Sequence, residues 1–82
     1  MFYVYLLKSE KDNKFYIGST ADLKKRIKEH SDGKVKSTAC RRPLKLVYYE
    51  TYADESIARK RERQVKSGKA NIALKKRIKG EG

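Results

Sequence analysis

The 82-residue sequence has one cysteine, one proline, one methionine, one histidine and no tryptophan. Cys40 on its own forms neither an internal disulfide nor a cysteine-rich zinc site, which suits a chain kept in the reducing cytoplasm. The only base for a cysteine reaction is His30, so Cys40 reads as a small inert side chain. Apolar runs are short. The longest, Met1 to Leu7, falls far below the roughly 20 residues that a membrane-spanning helix needs. It has no basic leader and no small-residue cleavage site, so it is not expected to be a signal peptide. Acidic residues are the other scarcity: ten face 22 lysines and arginines, giving +12 at neutral pH. Self-repulsion on that scale works against a compact fold unless a polyanion is at hand.

The hydrophobic share of 38 % comes in periodic blocks, enough for one small domain over residues 1–79, with a tail at 80–82 that should fray. Phe2 to Leu7 reads as a strand buried on both faces. A polar connection from Lys8 to Lys14 leads to a second strand, Phe15 to Ile17, which Gly18 should stop. Ser19 or Thr20 offers an N-cap for a helix from Ala21 to about His30, with Asp22 in its first turn and Leu23 and Ile27 four residues apart. Ser31 to Arg42 shows no period and reads as a long loop. Leu44 to Tyr52 follows as the third strand. Asp54 caps a second helix, and Gly68 sits where a left-handed C-terminal cap would fall. Asn71 caps a last helix to about Lys79. The order is ββαβαα, an α+β class. LKKRIK occurs at 23–28 and again at 74–79, but the flanks do not match and more than a quarter of the chain is basic, so no duplication is inferred.

In the second helix, Ile57, Ala58, Arg61, Glu62 and Val65 fall on one stripe, so Glu62 points inward with the apolar residues. A carboxylate there must be paired, protonated or bound to a cation. Spacing alone favours a pair with Arg59, Arg61, Arg63 or Lys66 over a metal. Arg26 and His30 share a face of the first helix. Arginine grips phosphate with two donors, and histidine moves protons near neutral pH. Tyr3 and Tyr5 share a face of the first strand, with Tyr16 on its hairpin partner. Basic helices with interleaved aromatics suit nucleic acid. The candidate phosphate contacts are Lys24, Lys25, Lys28, Arg41, Arg42, Lys75 and Lys76. Residues 41–82 carry thirteen basic and five acidic side chains against nine and five in 1–40, so the second half should supply more of them.

Taken in order, Tyr3-Val4-Tyr5, Tyr16-Ile17-Gly18, Arg26, His30 and Glu62 resemble the GIY-YIG nuclease family, and in particular its small stand-alone bacterial members. The blocks YIGST, ADLKKRIKEH, LVYYE and ARKRERQVK carry the likeness across nearly the whole chain. The first motif departs from the pattern, reading YVY where glycine is usual. The resemblance implies a three-stranded antiparallel sheet flanked by helices. It also implies a DNA endonuclease with Tyr5, Tyr16, Arg26, His30 and Glu62 as catalytic residues, and Mg2+ or Mn2+ on Glu62. Tyr5 would be the general base. A free tyrosine is only about one part in a thousand phenolate at pH 7, so Arg26 and the positive field are expected to lower its pKa. The expected partner is DNA, with the same charge serving RNA, no membrane, and a protein partner for targeting because no reader domain is present. A binding module of the same fold with little or no cleavage, and a basic ribosome-associated protein, are the competing readings.

Overall fold

A computed structural model describes residues 1–67. In it β1 (Phe2–Ser9), β2 (Phe15–Thr20), α1 (Leu23–Ser31), β3 (Leu44–Tyr52) and α2 (Glu55–Lys66) follow one another in the expected order. The strands form one antiparallel sheet in the order β2-β1-β3. The central place of β1 accounts for its composition: Val4 to Leu7 is buried without a break because both faces and both edges are covered. β2 and β3 lie on opposite sides of β1, so the chain between them must cross the sheet, and α1 makes that crossing over the face that carries Tyr3 and Tyr5. α2 covers the other face. There Ala58 and Val65 pack on Val4, Leu6 and Ile17, with Phe2, Phe15, Val47, Tyr48 and Tyr52 around them.

The two sides of the sheet are therefore distinct, and the register assigns each residue to one of them. Ile17 and Ser19 stand opposite Leu6 and Val4, on the α2 side. Tyr16, Gly18 and Thr20 stand opposite Leu7, Tyr5 and Tyr3, on the α1 side. On β3 a bulge adds Val47 between Tyr48, which pairs Leu6, and Leu46, which pairs Leu7. Tyr48, Glu50 and Tyr52 consequently face α2 while Leu46 joins the α1 side.

Five expectations change. β1 does not end at Leu7 but runs on through Lys8 to Ser9, so the connection to β2 is Glu10 to Lys14. β2 does not end at Gly18 but continues to Thr20, with Gly18 buried in mid-strand. α1 is capped neither by Ser19 nor by Thr20: Asp22 accepts from the Lys25 amide, and the helix starts at Leu23. Thr20 instead accepts from the Asp22 amide and steers the chain into that cap. The segment 31–42 is not a bare loop, because it buries Val35 and Thr38 completely or nearly so and closes with a single 3-10 turn at Ala39–Arg41. Ile57, assigned to the inward stripe of α2, is 52 % exposed, since that stripe is centred on Ala58 and Val65. Asp54 caps α2 through the Ser56 amide as expected. The Gly68 cap, the helix from Asn71 to Lys79, Lys75, Lys76 and the tail lie outside the described residues.

Candidate active site

The sheet brings Tyr5 and Tyr16 together, and α1 lowers His30 onto them. Tyr5 and His30 are each 1 % exposed. Their ring centres lie 5.7 Å apart, those of Tyr16 and His30 5.1 Å, and those of the two tyrosines 6.4 Å. The Tyr5 hydroxyl is 2.9 Å from His30 Nε2. Gly18 makes this possible. It pairs with Tyr5 across the strands, and a Cβ there would come 2.5 Å from the Tyr5 hydroxyl. Gly18 is thus a space for the Tyr5 ring rather than a strand terminator.

The other ring nitrogen of His30, Nδ1, lies 2.7 Å from Thr38 Oγ1. The Thr38 hydroxyl in turn has the Val35 carbonyl oxygen as its acceptor at 3.4 Å. A hydroxyl that spends its proton on a carbonyl accepts from the imidazole, so Nδ1 carries the ring proton and Nε2 is left to accept from Tyr5. Burial, seconded by the Arg26 charge, holds the His30 pKa below its usual value, so the ring is neutral at neutral pH. Thr38 was not among the candidate residues. Its only trace in the sequence is a position eight residues beyond His30, in a stretch with no period.

The Arg26 guanidinium lies beside the Tyr5 hydroxyl and is ion-paired with Glu29 at 3.1 Å. The neighbouring Tyr5 hydroxyl and Glu29 both favour its charged form. The expected lowering of the Tyr5 pKa does not occur. Burial raises it, and the Arg26 contact offsets only part of that rise. The resting state of the site is a protonated phenol against a neutral imidazole.

Glu62 approaches from the α2 side of the edge strand β2. Its carboxylate accepts from Ser19 Oγ at 2.6 Å and from Lys66 Nζ at 2.7 Å. Its charge reaches the Tyr5 hydroxyl. Burial alone would raise its pKa, but the bonds from Lys66 and Ser19 outweigh that and hold it below the ordinary carboxylate value. Of the basic residues considered as its partner, Lys66 is the one that pairs with it, while Arg61 goes to Glu50. Ser19, offered by the sequence as a helix cap, is part of the Glu62 environment because strand alternation turns it away from Tyr16 and Gly18. Among the described residues no three histidines, cysteines or acids cluster, so a cation held at Glu62 would have to complete its shell with oxygens from outside such a cluster. An ionised carboxylate is a hard oxygen donor of the kind that divalent cations take.

Around this site, Lys24, Lys25 and Lys28 are exposed on α1. Arg41 is half-buried, bonded to Asp12 at 3.3 Å and to the Phe15 carbonyl, and Arg42 binds the Ala39 carbonyl. These two arginines hold the 31–43 segment together as well as adding charge. Cys40 is exposed and unpaired with any other cysteine.

The sequence pattern of the GIY-YIG catalytic domain matches residues 1–79. A UPF0213 protein of Staphylococcus haemolyticus is 42 % identical over 74 residues, covering 89 % of each chain. A UPF0213 protein of Clostridium perfringens is 44 % identical over 75 residues, 90 % of this chain and 80 % of that one. The solution NMR structure of the UPF0213 protein BH0048 from Bacillus halodurans superposes with a TM-score of 0.59 at 33 % identity, covering 99 % of this chain and 88 % of that one.

Proposed function

Given that this chain belongs to the GIY-YIG catalytic-domain family, we propose that it is a metal-dependent endonuclease that hydrolyses phosphodiester bonds in DNA. The observation that carries this reading is the buried Tyr5–His30 hydrogen bond beside a charged Arg26, on a chain of net charge +12. A buried tyrosine hydroxyl needs a hydrogen-bond partner in any case, but here the partner is an imidazole nitrogen kept free to take a proton, which is what a general base requires.

In this reading Arg26 leaves Glu29 to hold a non-bridging oxygen of the scissile phosphate, and a water then reaches the Tyr5 hydroxyl. As the water attacks phosphorus, its proton passes to the Tyr5 oxygen and the Tyr5 proton passes to His30 Nε2. The phenolate is therefore never required at rest, which matters because burial raises the Tyr5 pKa. The imidazolium so formed keeps its Nδ1 proton on Thr38. Tyr16 orients the water or the phosphate. Arg26 offsets the negative charge gathering on the phosphorane oxygens. Glu62 would hold the divalent cation once Lys66 swings away, and the chemistry such a cation supplies is charge neutralisation at the phosphate and the leaving oxygen.

The second reading, a nucleic-acid-binding module with little cleavage, draws on the Lys66–Glu62 ion pair, which satisfies the carboxylate without a metal. One experiment separates the two. Duplex, single-stranded, flap and four-way-junction DNAs are incubated with wild type and Glu62→Ala in Mg2+ or Mn2+, and binding is followed in the same samples. The nuclease reading expects metal-dependent cuts by wild type, abolished by chelator and by Glu62→Ala while binding persists. Binding without cuts by either protein selects the module.

A further inference from the structure

On the flank of α1 opposite Arg26, a groove of about 510 Å³ opens between that helix and β3. Leu23 and Ile27 form one wall and Leu46 part of the other, and Lys24 stands at the rim. Its floor is aromatic: Tyr3 and Tyr49 place their ring centres 6.2 Å apart with planes tilted by 59°. Tyr49 is 52 % exposed, and among the described residues only Met1 and Ile57 are large apolar side chains comparably open to solvent. Nothing in the catalytic reading uses either ring. A depression lined by Lys25, Arg26 and Glu29 runs along the other flank of α1, and the two hollows share Ala21 and Asp22 at the start of the helix. A strand with one phosphate at Arg26 can thus pass the first turn of α1 and enter the groove.

We propose that the Tyr3–Tyr49 groove is a nucleobase subsite, taking an unpaired base next to the phosphate that Arg26 holds. The proposal rests on the phosphate reading of Arg26 given above. Charge decides the occupant: a chain at +12 with lysines on both flanks of α1 attracts a polyanion, and the flat face of a base suits an apolar slot floored by rings. A base stacked inside an intact duplex cannot enter. The selected substrate is then a single strand, or a duplex that presents a bulged base.

The test uses the full chain in chelator, so that nothing is cut. Fluorescence anisotropy follows fluorescein-labelled oligothymidylate, a matched duplex, and the same duplex with one bulged thymidine. Tyr49→Thr retains β-propensity at an exposed edge position, and its melting curve reports folding. It is expected to weaken oligothymidylate binding at least about fivefold, and Tyr49→Phe to leave it unchanged, with the salt dependence the same in all three proteins. Duplex affinity stays at the wild-type value. Loss of bulged-duplex binding alongside the single strand assigns the base to either source, and loss for the single strand alone assigns it to that one. Equal losses on every DNA, or none, overturn the subsite. So does a dimer of the wild type, seen by sedimentation, that Tyr49→Thr dissociates. In a fourth arm, oligothymidylate titrated into the wild type must move the Tyr3 and Tyr49 ring resonances, and unmoved resonances overturn the subsite even if a variant misfolds. Cleavage in Mn2+ is scored separately. Base-dependent binding without cuts removes the nuclease reading alone, and cuts without any effect of Tyr49→Thr remove the subsite alone.

Discussion

Valine has nearly the shape of threonine but accepts no hydrogen bond, so Thr38→Val isolates the proton arrangement around His30. The variant leaves Nδ1–H with no acceptor in a buried place, or turns the ring to the other tautomer and strands the Tyr5 hydroxyl. Either costs about 1–3 kcal/mol. Since His30 is the only histidine, its two ring nitrogens are read without ambiguity by NMR. Wild type is expected to show a protonated Nδ1 and a bare Nε2, Thr38→Val a mixture, and Thr38→Ser the wild-type pattern. Cleavage should fall at least about tenfold in the valine variant only. A valine variant with unchanged tautomer and rate would refute the relay. Gly18→Ala acts on the same bond from the other side. Its methyl meets the Tyr5 hydroxyl at 2.5 Å, against the end of a ring that His30 and Tyr16 pin. Tyr5 must tilt away, and activity is expected to fall by more than the drop in melting temperature accounts for.

At the scale of the elements, α2 is tied to β3 by Glu50. Arg61 grips this carboxylate with two nitrogens, Nε at 2.9 Å and a terminal nitrogen at 3.0 Å, and the Tyr48 and Tyr52 hydroxyls add two more bonds. Burial raises the Glu50 pKa, but these four donors outweigh it and bring it to about 2, while burial and Glu50 push Tyr52 up to about 12. The folded-state pKa of Glu50 lies below the unfolded one, so its contribution is present above the ordinary glutamate value and disappears as pH falls through about 4.5 toward about 2. Glu50→Gln should therefore lose on the order of 3 kcal/mol at most at pH 7 and show a flatter stability profile across that acid window in denaturant titrations. An acid profile matching wild type would mean that the network does not hold the two elements together. None of this was legible in LVYYE as a string. Strand alternation alone leaves open which side Glu50 faces, and the bulge at Val47 shifts the phase within the strand. What was legible came from local signals: the apolar run of β1, the Asp54 cap, the placement of Tyr3 and Tyr5 on one face of β1 with Tyr16 on its hairpin partner, and the inward turn of Glu62. The Ser19–Glu62, Thr38–His30 and Gly18–Tyr5 contacts link residues brought together only by the packing of α2 on β2, the return of the 31–42 segment onto α1 and the pairing of strands.

For the whole molecule the governing quantity is charge, and among the described residues the structure divides the cations into two kinds. Lys24 and Lys25 stand exposed on α1 beside the site, while Arg41 is half-buried and spends its donors on Asp12 and the Phe15 carbonyl. A cation that meets phosphate releases counterions, whereas one that braces the fold changes stability and leaves the salt dependence alone. Affinity for duplex DNA is accordingly expected to fall steeply between 50 and 200 mM salt, scaling as about 0.9 of the number of phosphates met. Replacing Lys24 and Lys25 together by glutamine should flatten the log–log slope by up to about 1.8 with no change in melting temperature. Arg41→Gln should lower the melting temperature and keep the slope. Anisotropy titrations at four salt concentrations, paired with thermal melts, measure both numbers for each protein. If Arg41→Gln instead flattens the slope as much as the lysine pair does, the segment 31–43 faces the nucleic acid. The binding surface would then extend from α1 across the loop that holds Thr38 and so His30, making phosphate contact and proton relay parts of one face.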